Sequence, residues 1–147
     1  MDIMTLHNLE LLPINRKNYY VRYYDLEAAE KIISEYERQI KRLGHFYGCY
    51  DLSQDYCGYG DPDVINIKNI AFIVEDLKLS GIDHLIFTIK ILETPKGKQL
   101  KESIRNVVFR PSVWGFLKDD GRVVIERLIG INSFSKYHDT FSDKQNT

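Results

Sequence analysis

No run of residues in this chain approaches the roughly 20 consecutive apolar positions that a membrane-spanning helix needs. No excess of one charge exists either: the formal net charge is -1, so no global field draws the protein onto nucleic acid or an anionic membrane. Cysteine is nearly absent. Cys49 and Cys57 are too few for a disulfide scaffold and suit a reducing compartment. A Cys49–Cys57 bridge is one option and two unpaired thiols are the expectation. The start, "MDIMTLHNLELLPINRKN", has no basic segment ahead of a long apolar stretch and does not read as a signal peptide. There is no CxxC pair, and the four histidines His7, His45, His84 and His138 are scattered, which argues against zinc. Asp51, Asp55, Asp61 and Asp63 share one stretch but lack the alternating ligands and later bidentate Glu of a calcium loop. No metal and no cofactor are expected. GxSxG is missing, so no glycine-flanked nucleophile announces itself.

What is present fits one domain of 147 residues with a modest core. Ten tyrosines against one tryptophan is a tyrosine-heavy balance, suited to half-buried strands or to interfaces. Residues 1–18 read as an arm, 19–134 as a single α+β domain, and 135–147 as a flexible polar tail. "YYVRYY" (19–24) is aromatic and β-branched and reads as a strand. Asp25 then caps a helix whose apolar stripe is Leu26, Ala29, Ile33, Tyr36, Ile40 and Leu43, closed by Gly44. "HFYGCY" (45–50) is a short strand, and 51–63 is a loop rich in Asp and Gly. One or two strands cover 64–79. After a turn at Gly81, Leu85, Phe87, Ile89 and Ile91 fall on one strand face. The order, strand, long helix, strands, short helix and hairpin, argues against a doubly wound sheet. It predicts an antiparallel sheet or small β-barrel with one long N-terminal helix and one short helix.

The stretch "KILETPKGKQLKESI" (90–104) runs from that strand into the short helix. Thr94 is a natural N-cap and Pro95 sits at the first helical position, where its missing N–H costs nothing. With one glycine, and Gln99 where a hydroxyl residue belongs, it is no phosphate-binding Walker loop. A capped helix start with solvated Lys96 and Lys98 is the reading it supports; anion binding at its N-terminus is the lesser one.

Residues 64–134 carry "NIAFIVEDL", "LSGIDHLIFTIKILETPKGKQLKESI", "VVFRPSVWG" and "RLIGINSF", in that order. This series resembles the prohead (capsid maturation) proteases of tailed phages, which share the herpesvirus-assemblin type of fold, with "KILETPKGK" its most specific part. "FYGCYD" upstream corresponds more weakly, and the long helix has no counterpart in the pattern. The resemblance implies a serine nucleophile and a histidine base. Phe72 falls at the histidine position, and phenylalanine takes no proton. Arg110 and Pro111 fall in the nucleophile region, with Ser112 one or two places away. A one-residue slip turns a strand side chain to the opposite face.

The resemblance therefore implies the fold and a head-assembly setting: a catalytically inactive relative that binds capsid, scaffold or protease proteins, in the host cytoplasm during assembly or in the virion. The exposed tyrosines and Trp114 are its first candidate contacts, and a homo-oligomer is an open option. The alternative is an active serine-type prohead protease using Ser112 with His45 or His84. A third option is a host-directed binding module on the same fold.

Overall fold

The computed structural model describes residues 4–50 and 67–141; the Asp-rich stretch 51–63 and residues 142–147 lie outside this range. Strand β1 is Thr5–Pro13, helix α1 is Leu26–Leu43 and strand β2 is Phe46–Tyr50. Strands β3 (Ile70–Ser80) and β4 (His84–Ile91) form a hairpin. Helix α2 (Pro95–Ser103) leads to a second hairpin of β5 (Val107–Leu117) and β6 (Val123–Ser135). The sheet order is β1-β4-β3-β2-β6-β5. Every neighbouring pair is antiparallel except β2 with β6, which is parallel. The sheet curls into a half-barrel rather than a closed one: β1 and β5 end the strand order with no ladder between them.

Helix α1 begins and ends as expected. Asp25 accepts from the Ala28 N–H at 2.9 Å, and the Gly44 N–H closes the last turn on the Ile40 carbonyl. Its buried line is not the expected one. Ala28, Ala29, Ile32, Glu35, Tyr36 and Gln39 face inward, while Leu26 and Leu43 are more than a third exposed. The cause is polar. Glu35 Oε1 accepts from Arg127 Nε (2.8 Å) and the Leu128 N–H (3.0 Å), and Oε2 accepts from Arg38 Nε (3.0 Å). These bonds hold the helix against β6 where the β5–β6 register slips, between Ser112–Gly130 and Val113–Leu128. Burial pushes the Glu35 carboxyl up, but the Leu128 N–H and the two guanidinium groups outweigh it and hold its pKa below the usual value.

On β4, Leu85, Phe87, Ile89 and Ile91 are all buried, as the alternation requires. Helix α2 starts as its sequence dictates. The Thr94 hydroxyl accepts from the Gly97 N–H at 3.0 Å and donates to the Ile70 carbonyl at 2.6 Å. A Cβ at Gly97 would run into the carbonyl oxygen of Leu92, which is why this turn of helix lies so tightly on the strands.

Four further expectations are corrected. Residues 5–13 are not an irregular arm but an edge strand, with Leu11 and Leu12 in the core. Its alternation is broken by a bulge at Asn8, whose φ is 55°, so a period-two reading misses it. Residues 19–24 are not a strand; among the described residues their sheet pairing is an isolated bridge from Tyr23 to Arg122. The Asn18 side chain, accepting from the Tyr20 and Arg22 N–H groups, folds them into a turn and overrides their β preference. The polar stretch from Ser135 is not free at its start: β6 runs to Ser135, a 3₁₀ turn follows, and Asp139 and Phe141 are buried. Cys49 is buried and disulfide-bonded, so the expectation of a free thiol there fails. Among the described residues no helix is long and apolar enough to cross a membrane, and no three His, Cys, Asp or Glu side chains are grouped to hold a metal.

Candidate functional site

Phe72, at the position where the resemblance calls for a histidine, is fully buried on β3. It is paired with Gly48 of β2, and a Cβ at Gly48 would run into its ring. The ring meets Phe109 edge to face, with centroids 5.4 Å apart, and Phe87 meets Phe109 in the same way. Phe72 is part of an aromatic core layer with no group to exchange a proton.

Arg110 lies on β5, in the region of the resemblance's nucleophile. Its guanidinium forms a two-bond fork with Asp139, Nε to Oδ1 at 3.1 Å and Nη2 to Oδ2 at 3.0 Å. Nη1 donates to the backbone carbonyls of Leu11 and Phe109, both at 3.1 Å, and reaches Glu10 Oε1 at 3.4 Å. The Phe141 ring stacks below it, 5.2 Å from the guanidinium carbon. Only 13% of the Arg110 side chain and 9% of the Asp139 side chain are exposed. One side chain thus joins β5 to β1 across the open seam of the half-barrel and ties down residues 139–141.

Ser112 shares the face of Arg110. Its Oγ accepts from Asn132 Nδ2 at 2.8 Å, and Asn132 is the cross-strand partner of Arg110. Phe109, which touches Phe72, faces the other way, because successive strand residues alternate. Phe72 and Ser112 therefore lie on opposite faces of the sheet. Asn132 is buried, and its Oδ1 has no hydrogen-bond partner among the described residues.

Two recesses meet at Ser112. One, of ≈160 Å³, is bounded by Arg110, Ser112, Tyr24, His138 and Phe141. The other, of ≈310 Å³, runs past Tyr24 and Arg22 to Val113, Phe116 and Leu117. Tyr24 stands in both, and burial raises its pKa against the pull of Arg22 and Arg110, so it is a neutral hydrogen-bonding group there.

Neither of the expected bases lines either recess. His84 Nδ1 is 2.8 Å from Glu10 Oε2 at the β1–β4 edge. His45 is exposed at the entrance to β2, its ring 5.9 Å from that of Tyr47. The histidine the fold brings to Ser112's cavity is His138. His138, Glu10, Asn132 and Asp139 were not singled out for this site by the sequence. Nothing local marks them, since each reaches the site through the fold alone.

No protein-family model matches the sequence, and no curated protein matches it. Among solved structures, the chain is similar to the bacteriophage T4 capsid assembly protease, gp21. The TM-score is 0.57 at 15% sequence identity, with 91% of each chain covered. At that identity the likeness is one of fold.

Proposed function

We propose that this chain is a phage head-assembly protein of prohead-protease ancestry that works by binding rather than by cleavage. Its partners are capsid, scaffold or protease proteins, met in the host cytoplasm during assembly, and it is retained in the virion if that partner is the shell. The fold likeness to a phage capsid assembly protease supports the setting. The observation that carries the loss of chemistry is Arg110: the side chain in the nucleophile region is committed to Asp139 and to the Leu11 carbonyl. The burial of Phe72 among aromatic rings supports the same reading.

The test is incubation of the purified protein with scaffold and capsid proteins, beside its Ser112→Ala variant, with a fluorophosphonate probe for reactive serines. No cleavage and no labelling are expected. Cleavage that disappears in Ser112→Ala would sink the reading. Co-purification with proheads tests the setting, and absence from both proheads and virions would instead favour a host-directed binding module. One observation favours an active serine protease as second reading: Ser112 and His138 line the same cavity. Labelling of Ser112 that His138→Ala abolishes is its signature.

A further inference from the structure

Residues 139–141, Asp-Thr-Phe, are held by the rest of the chain as a bound peptide would be. Arg110 grips the Asp139 carboxylate in its two-bond fork and carries the Phe141 ring against its guanidinium. Arg16 Nη2 donates to the Phe141 carbonyl at 3.0 Å, and the Tyr19 N–H donates to the Thr140 carbonyl at 2.8 Å. Asn18 Nδ2 reaches the Thr140 hydroxyl at 3.3 Å. Each of the three residues is thus recognised by its own chemistry: a carboxylate by a guanidinium fork, a hydroxyl by an amide, and a ring by a cation. Two backbone carbonyls are read as well.

The receiving side is preformed. Asn18 Oδ1 accepts from the Tyr20 and Arg22 N–H groups, at 2.9 and 3.1 Å, which leaves its Nδ2 and the Tyr19 N–H to meet residue 140. Val21, in the same turn, sits at φ 62°, a conformation that a β-branched residue rarely adopts. Backbone strain of this kind persists only where the surroundings hold it, and it gathers at ligand clamps.

The occupant is attached loosely. Among the described residues no strand pairs with residues 139–141. A single 3₁₀ turn, Lys136–His138, joins them to β6, and all three of its residues are exposed. A segment near a chain end, on such a connection, can leave without dismantling the sheet. Its departure would deprive the buried Arg110 of its fork, and a guanidinium so placed calls for another carboxylate. It would also widen the ≈160 Å³ recess at Ser112, which Thr140 and Phe141 help to wall.

We propose that Arg110, Arg16, Asn18 and the Tyr19 N–H form a recognition site for an Asp-x-Phe segment of a partner protein, and that residues 139–141 are its resident, autoinhibitory occupant. The guanidiniums of Arg110 and Arg16 ask for an acidic segment, and the Phe141 seat asks for an aromatic residue two places on. The site goes beyond the head-assembly reading, and either can fail without the other, because its test needs no phage protein.

The test is fluorescence anisotropy of a labelled, amidated peptide of residues 135–141, SKYHDTF, titrated with the full chain. In wild type the tethered segment competes at an effective concentration on the order of millimolar. Asp139→Asn and Phe141→Ala each loosen that segment, so each should bind the peptide about 10-fold or more tighter than wild type does. The same peptide carrying Asp139→Asn should bind the Phe141→Ala chain about 10-fold or more weaker than the unchanged peptide. Circular dichroism confirms folding, and if one chain variant does not fold, the other decides. If neither folds, residues 139–141 are a fixed part of the core and the proposal is overturned. Equal binding by wild type and the folded variants overturns it too, as does binding indifferent to the peptide's carboxylate. A wild-type dimer in sedimentation velocity that Phe141→Ala dissolves would give the site to a second copy of this chain and overturn the partner.

Discussion

The two halves of β5 are built for different purposes. From Val107 to Ser112 the strand is committed inward: Val107 and Phe109 are buried, and Arg110 is bonded to β1 and to Asp139. From Trp114 to Leu117 no comparable tie exists among the described contacts, and Trp114, Phe116 and Leu117 are 45%, 48% and 45% exposed. The border is the register slip at Val113–Leu128, where Glu35 holds the freed Leu128 N–H. One strand thus closes the half-barrel with its first half and displays apolar surface with its second.

The sharpest way to break this contrast is Arg110→Ala. It leaves the buried Asp139 carboxylate without its partner and opens the β1–β5 seam, so a loss of about 3 to 5 kcal/mol is expected in urea unfolding. Phe72→His comes next. It places an imidazole with no polar neighbour against Phe109 and Gly48, which should cost about 2 to 4 kcal/mol and yield no probe-reactive serine.

Glu35→Gln tests the border. At neutral pH it should cost about 1 to 2 kcal/mol, since Arg127 and Arg38 keep partial access to water. The folded-state pKa of Glu35 is depressed, so its contribution is complete above the unfolded carboxylate pKa of about 4.3. It is lost as the pH falls through the folded value. Unfolding measured from pH 7 down to pH 3 should therefore show a shallower acid decline in Glu35→Gln than in wild type. Phe116→Ser should change stability by no more than about 0.5 kcal/mol, because the ring is half exposed already. A large loss there would erase the contrast between the halves.

Much of the fold was legible because it is local. Asp25 and Gly44 bound α1, Thr94 and Pro95 start α2, and the alternation of Leu85 to Ile91 sets β4. What was hidden depends on distant partners. The aromatic β-branched run 19–24 loses its strand character to one asparagine side chain. Glu35 and Gln39 look like surface residues until β6 is placed against them, and the buried line of α1 shifts accordingly. For the candidate site the sequence named residues but not their surroundings. Phe72, Arg110 and Ser112 were singled out, but that Arg110 answers to Asp139, and that Phe72 and Ser112 face apart, follows only from register and from the docked residues 139–141.

The start of α2 bears on what a shared short motif can tell about a chain. The Thr94 hydroxyl joins the entrance of β3 to the first helical turn, and Gly97 lets that turn rest on the β4 exit. This weld makes no contact with Ser112 or Phe72 in the bonds that define it. The groups at Phe72, Arg110 and Ser112 could all be exchanged and the Thr-Pro-x-Gly joint would still be needed to seat α2 on the β3–β4 hairpin. A search keyed to those letters gathers chains by their carpentry. What each of them does has to be read from other positions.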